Sequence, residues 1–213
     1  MQYSIIMSGI GGQGIVVGTK LIGITATEIG LFCLHYAEYG GEMRGTKCEC
    51  TLTVGDQPVT STPQVSSCAA AIIMHPESFD HLHQMIEPGG LALVNSSLID
   101  VAKKQLRSDV EWVLLPITDM GKALGHMMVA TMVAIGAFAE ETGIIPALAI
   151  KDFLPEVIPA YRHQLLKMDS DGIDIGANAI ARREEVRIPS ASAPYVFTSR
   201  RPLAGSPVAA RSS

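Results

Sequence analysis

Apolar residues in this chain follow two patterns: short β-prone runs that stop at glycine or proline, and longer stretches where they recur every three or four positions. Tyr3 to Met7 predicts a strand ending at the cluster Gly9-Ile10-Gly11-Gly12-Gln13-Gly14. Ile15, Gly18, Ile22, Ala26 and Ile29 then share one helical face, Gly30 supplies a stop, and Leu31 to Tyr36 is a second β-prone run. Lys47 to Val54 alternates strictly, with Cys48, Cys50, Leu52 and Val54 on one side and Lys47, Glu49, Thr51 and Thr53 on the other. Ala69 to Met74 and Leu91 to Val94 are continuous apolar runs, the mark of strands buried on both faces, and Glu111 to Leu115 is one more strand. Between them Pro76 suits a first helical turn, Phe79, Leu82 and Ile86 form a stripe, and Pro88-Gly89-Gly90 reads as the helix stop. Strands alternating with helices predict an α/β fold: a three-layer, largely parallel sheet with helices on both faces, Rossmann-like.

From about Thr118 the pattern turns helical. His126 to Gly143 is apolar almost all round, which predicts a helix buried in the protein or covered by a partner, with Met127, Met128 and Met132 in its core. Ala147 to Lys167 continues helical but must break at Pro155 and Pro159. Arg182 to Ser213 lacks a core of its own. It carries four prolines, six arginines and two glutamates, so its net charge is four positive and leaves nine net negative charges on the rest. The chain therefore divides into an α/β unit over 1–181 and a tail over 182–213. The tail reads either as a disordered terminus or as an extended arm on an acidic partner, anchored by Tyr195, Val196 and Phe197.

With 47% hydrophobic residues, 17% charged residues and a mean hydropathy of +0.28, the 213 residues can bury a large core. The net charge of -5 argues against nucleic-acid binding, which needs a cationic surface. Met127 to Ala139, the longest apolar stretch, is shorter than the ~20 residues a membrane span requires. A soluble, cytoplasmic protein is expected, with its four cysteines as free thiols.

Gly-x-Gly-x-x-Gly between a strand and a helix lets backbone amides approach an anion at the positive end of a helix; a tight turn for packing alone is the other reading. A nicotinamide or flavin ligand would also want an acid at the end of the second strand, where Glu38 is the candidate. A second loop, Tyr39-Gly40-Gly41-Glu42-Met43-Arg44-Gly45, presents a guanidinium that can fork onto a phosphate or pair with Glu42. Cys48 and Cys50 share a strand face but lack further ligands, and His81 and His83 point to different sides of a helix. Asp169-Ser170-Asp171-Gly172 has Ile180 where a calcium loop needs glutamate, and reads as a turn.

Taken together, Gly-Ile-Gly-Gly-Gln-Gly and, some thirty residues on, Tyr-Gly-Gly-Glu-Met-Arg-Gly resemble the gamma subunit, or gamma domain, of the 2-oxoacid:acceptor oxidoreductases. Pyruvate, 2-oxoglutarate, 2-oxoisovalerate, indolepyruvate and phenylglyoxylate enzymes belong to that family. The likeness continues through Val59–Pro63, Met74–Asp80, Glu87–Gly90, Val94–Ser97, Ala130–Ala137 and Ile175-Gly176, covering about residues 3 to 180. It departs at Gly41, where the family commonly has Pro, at Thr46 after Gly45, and at Thr131 and Asp169, where Asn is usual. The resemblance implies oxidative decarboxylation of a 2-oxoacid to acyl-CoA in a complex of alpha, beta and delta (ferredoxin-like) subunits. An NAD-reducing flavin subunit is a further candidate partner. Thiamine diphosphate, Mg and iron–sulfur (4Fe-4S) clusters are implied in the partners. For this chain it implies a coenzyme-A-holding cover over the active site, with Gly9, Gly11, Gly12, Gln13, Gly14, Glu42, Met43, Arg44 and Gly45 as binding residues and no catalytic or metal-ligating one. The alternatives are an NAD- or FAD-binding module and a purely structural assembly subunit.

Overall fold

In the computed structural model, which describes residues 2–39, 45–60 and 62–192, the β-prone runs assemble into one seven-stranded sheet. Its strands are β1 (Gln2–Ile10), β2 (Phe32–Tyr39), β3 (Lys47–Gly55), β4 (Cys68–Ile73), β5 (Ile86–Asn95), β6 (Glu111–Leu115) and β7 (Val186–Ile188), in the order β2-β3-β1-β4-β5-β6-β7. The centre, β1-β4-β5-β6, is parallel, as the continuous apolar runs predict. Both flanks are antiparallel: β3 pairs with β1 and with β2, and β7 pairs with β6.

The helices are α1 (Ile15–Glu28), α2 (Pro76–Met85), α3 (Ile117–Ala123), α4 (Ala130–Thr142), α5 (Ala147–Asp152), α6 (Leu154–Val157) and α7 (Leu166–Ala181). Successive strand residues feed opposite layers. Ile5 and Met7 of β1 join the core with α1, α4 and α7, whereas Ile6 joins Phe79 and Leu82 of α2 and Trp112 on the other side. Every residue of α4 from Ala130 to Ala139 is buried, so the all-round apolar pattern ends as a helix enclosed by its own chain. α4 and α7 touch backbone to backbone. A Cβ on Gly136 would lie 2.1 Å from the Ile173 carbonyl oxygen, and one on Gly176 would lie 2.0 Å from that of Val133.

Three sequence readings are corrected. Ile86 begins β5 instead of completing the helical stripe, and Pro88-Gly89-Gly90 lies within that strand, where the pairing with β4 is irregular between Cys68 and Ala70. Gly89, at φ 80°, supplies the left-handed kink. Asp169 to Gly172 is helical within α7, because packing against α4 outweighs the turn preference of these residues. Met127 is 62% exposed in a short 3-10 segment, Met127–Val129, ahead of α4. The proline-broken stretch behaves as expected: Pro155 sits in the first turn of α6, and Pro159 caps a 3-10 segment over Ala160–Leu165. Residues 186–188 of the C-terminal segment extend along β6, while Tyr195, Val196 and Phe197 lie outside the described residues.

Candidate functional site

β1 and β4 are parallel neighbours whose helices leave in opposite directions, α1 to one face and α2 to the other. A crevice must open between their carboxyl ends, the usual ligand position in an open α/β sheet. The structure has a cleft of about 400 Å³ there.

The β1–α1 turn forms one wall. Gly12 and Gly14 adopt φ 99° and 83°, which L side chains rarely tolerate, and Gly14 begins α1 with no side chain capping its first turn. Gln13 folds back: its Oε1 accepts from the Ile10 amide at 2.9 Å, and its own amide donates to the Ile10 carbonyl at 3.1 Å. Gly9 must lack a side chain, since a Cβ there would lie 2.2 Å from Gln13 Oε1 and 3.2 Å from Met74 Cβ. From the other side the Thr131 hydroxyl of α4 donates to the Gln13 carbonyl. The Gly11 amide donates to the Thr46 carbonyl at 2.8 Å, so the end of the second loop is tied to the glycine turn. Gly45, at φ 74°, belongs to that juncture; Glu42, Met43 and Arg44 lie outside the described residues.

Residues after β4, β5 and β6 complete the cleft. Met74 and His75 follow β4, Leu98 follows β5, and Thr118 and Lys122 come from α3. Met127, Met128 and Ala130 close the side toward α4. Buried Asn95 locks three of these segments together. Its Nδ2 donates to the Met74 carbonyl at 3.2 Å and to Thr118 Oγ1 at 2.7 Å, and its Oδ1 accepts from the Thr118 amide at 3.1 Å. His75 Nδ1 accepts from the Glu77 amide, and His126 Nδ1 accepts from the Met128 amide, so each imidazole caps a helical turn. Lys122 pairs loosely with Asp119 at 3.6 Å and keeps its ammonium largely in solvent. The walls are thus largely apolar, with Gln13, His75, Thr118, Lys122 and the backbone of the glycine turn as the polar features. The chemistry of such a lining suits an elongated ligand with an anionic end and an apolar arm.

Sequence reasoning reached the glycine turn and missed Asn95, Lys122 and the exposed Met127. Asn95 leaves one signal, a lone amide ending a continuous apolar strand. Glu38 is exposed, hydrogen-bonded to Gln64, and two strands from β1 because β3 intervenes. It therefore does not stand where a ribose-binding acid would. Cys48 and Cys50 face the α1 layer, Cys68 the α2 layer, and no group of three or more potential metal ligands occurs among the described residues. His81 approaches Glu49 at 3.8 Å, whereas His83 stacks on Phe79. No helix among the described residues is long and apolar enough to cross a membrane.

Residues 4–179 match the family model described as pyruvate ferredoxin/flavodoxin oxidoreductase. The 2-oxoglutarate synthase subunit KorC of Methanothermobacter thermautotrophicus is 26% identical over 164 residues, which span 75% of this chain and 86% of the relative. The gamma subunit of a keto/oxoacid ferredoxin oxidoreductase from Geobacter sulfurreducens shares the fold with a TM-score of 0.73 at 23% identity, over 85% of this chain and 98% of that one. 2-Oxoglutarate:ferredoxin oxidoreductase from Magnetococcus marinus, solved with 2-oxoglutarate, coenzyme A and succinyl-CoA, matches with a TM-score of 0.77 at 17% identity. That match covers 92% of this chain and 33% of the larger one.

Proposed function

This chain belongs to the pyruvate ferredoxin/flavodoxin oxidoreductase family, and from that premise we propose that it is the gamma-type subunit of a 2-oxoacid oxidoreductase complex, holding coenzyme A at the cleft beside the glycine turn. The observation that carries the reading is the cleft itself. Ile10, Gly11, Gly12 and Gln13 of the glycine turn, together with Lys122, face a space lined by Met74, Leu98, Met127 and Met128. Coenzyme A has matching chemistry: a diphosphate for the Gly12 amide and the Lys122 ammonium, and a pantetheine arm for the methionines. The reading gives the Arg44 guanidinium a role on the same phosphates, as the sequence resemblance implies.

In this reading the chain binds and orients the thiol and keeps water from the reacting acyl group, and it contributes no nucleophile or general base. Thiamine diphosphate with Mg, held by partner subunits, supplies the carbanion chemistry of decarboxylation. An iron–sulfur cluster needs four thiolates around one point, and cysteines divided between two faces of a sheet do not fit that demand. The clusters therefore go with the partners as well. The placement of Glu38 disfavours an NAD or FAD module.

In the assembled complex, Arg44→Ala and Lys122→Ala are each expected to raise the apparent KM for coenzyme A about tenfold, the worth of one charge-assisted contact. The KM for the 2-oxoacid should not change. Steady-state kinetics at saturating 2-oxoacid checks this, and an unaltered coenzyme A dependence in both variants overturns the reading.

A further inference from the structure

At the opposite end of the sheet from β7, β2 has β3 on one side and, among the described residues, no strand on the other. This edge strand is eight residues long and contains no proline, lysine or arginine; its one acid, Glu38, stands near its end. Proteins guard such edges with short strands, lysines, prolines or bulges, because unpaired amides and carbonyls template the addition of another strand. Pairing with β3 places Phe32, Leu34 and Tyr36 on the face away from α1, and Phe32 is 45% exposed. α1 borders the same edge. Lys20, Ile24 and Glu28, four residues apart, form a row along it, and a groove of about 280 Å³ separates that row from Cys33 and His35. Among the described residues Lys20 and Glu28 have no ion-pair partner.

We propose that this edge joins a second copy of the same chain, β2 pairing antiparallel with its counterpart across a two-fold axis beside Leu34. The argument is self-complementarity. A two-fold contact that brings residue i to j also brings j to i. Centred on Leu34, it sets Phe32 against the partner's Tyr36, Leu34 against the partner's Leu34, and Tyr36 against the partner's Phe32. These are favourable cross-strand pairs. Glu38 falls opposite Gly30 of the partner subunit, so no like charges meet. Ile24 lines the groove with Cys33 and His35, which flank Leu34, so the same axis passes close to Ile24. The two α1 helices then lie antiparallel, with Lys20 facing the partner's Glu28 and Glu28 facing the partner's Lys20. Two exposed charges of opposite sign, equally spaced about the centre, complement each other only when the partner carries the same row. The two sheets become one of fourteen strands, seven from each copy.

Sedimentation velocity of the full chain over a concentration series tests this. A reversible monomer–dimer equilibrium is expected. Lys20→Glu and Glu28→Lys should each weaken it about tenfold at low salt, since each turns two attractions into two repulsions. The double variant K20E/E28K restores association to within about threefold of the parent. Leu34→Lys should abolish it, with thermal melts confirming that every variant is folded. A chain that stays monomeric overturns the proposal. So does a dimer that ignores the single charge changes or is not rescued by the exchange. Amide-exchange protection of Phe32 to Tyr36 that arises only when a different subunit is added also overturns it.

Discussion

The Thr131 hydroxyl reaches Gln13 across 118 residues of sequence, and its methyl lies 2.5 Å from where a Gly18 Cβ would stand. The glycine turn is held by this contact as much as by its own backbone angles. Gly18→Ala should therefore destabilise the protein by ~1–3 kcal/mol, although alanine is the better helix former. Thr131 is β-branched and cannot swing away. Thr131→Ser in the same chain removes the clashing methyl and keeps the hydroxyl, so denaturant melts should return most of the loss. Asp169 behaves differently. It is fully buried, and neither carboxylate oxygen has a hydrogen-bond partner among the described residues. Burial pushes its carboxyl above the usual value, and the Arg162 guanidinium only partly offsets this. With the native pKa above the unfolded one, the native state binds more protons between the two, so stability falls as pH rises through that window. The penalty is complete above the native pKa and absent below the unfolded one. Asp169→Asn is expected to raise Tm at neutral pH by an amount that shrinks toward acid, and melts across a pH series check both the sign and the window.

Arg187 turns a three-residue strand into a fixed element. Its guanidinium bridges Glu141 at 2.7 and 2.8 Å, contacts Glu185 at 3.0 Å, and pairs with Glu111, tying β7 to β6 and to the end of α4. Partly exposed pairs contribute little singly, but removing the arginine leaves three carboxylates facing one another. Arg187→Ala should cost ~1–2 kcal/mol and open β7 to protease. Limited proteolysis of parent and variant reads this directly. β7 is not legible in the sequence, because Val-Arg-Ile is short and its partners are distant acids. Gly12, Gly14 and Gly143 are legible because left-handed backbone selects glycine locally. The start of β5 is not, since Pro88 and Gly89 carry the same composition in a strand irregularity as in a helix stop. Of the site, the glycine turn could be read from its motif, whereas Lys122 and Met127 come together only through tertiary packing.

At the scale of the whole molecule, strand order is what local pattern leaves open. The alternation of Lys47 to Val54 identifies β3 as a strand without revealing that it inserts, reversed, between β1 and β2. That insertion carries Glu38 away from the glycine turn and delivers the connection after β2 to it, with Ile10 beside Lys47 and Gly9 beside Cys48. The rim is therefore built from two separate stretches of sequence, the turn after β1 and the first residues of β3, joined where the Gly11 amide meets the Thr46 carbonyl. Side chains alternate along a strand, so a one-residue slip of β3 would send Cys48, Cys50, Leu52 and Val54 to the opposite layer and carry Thr46 off the Gly11 amide. The fit of one antiparallel pair thus fixes both the buried packing beneath the rim and the outline of the rim itself.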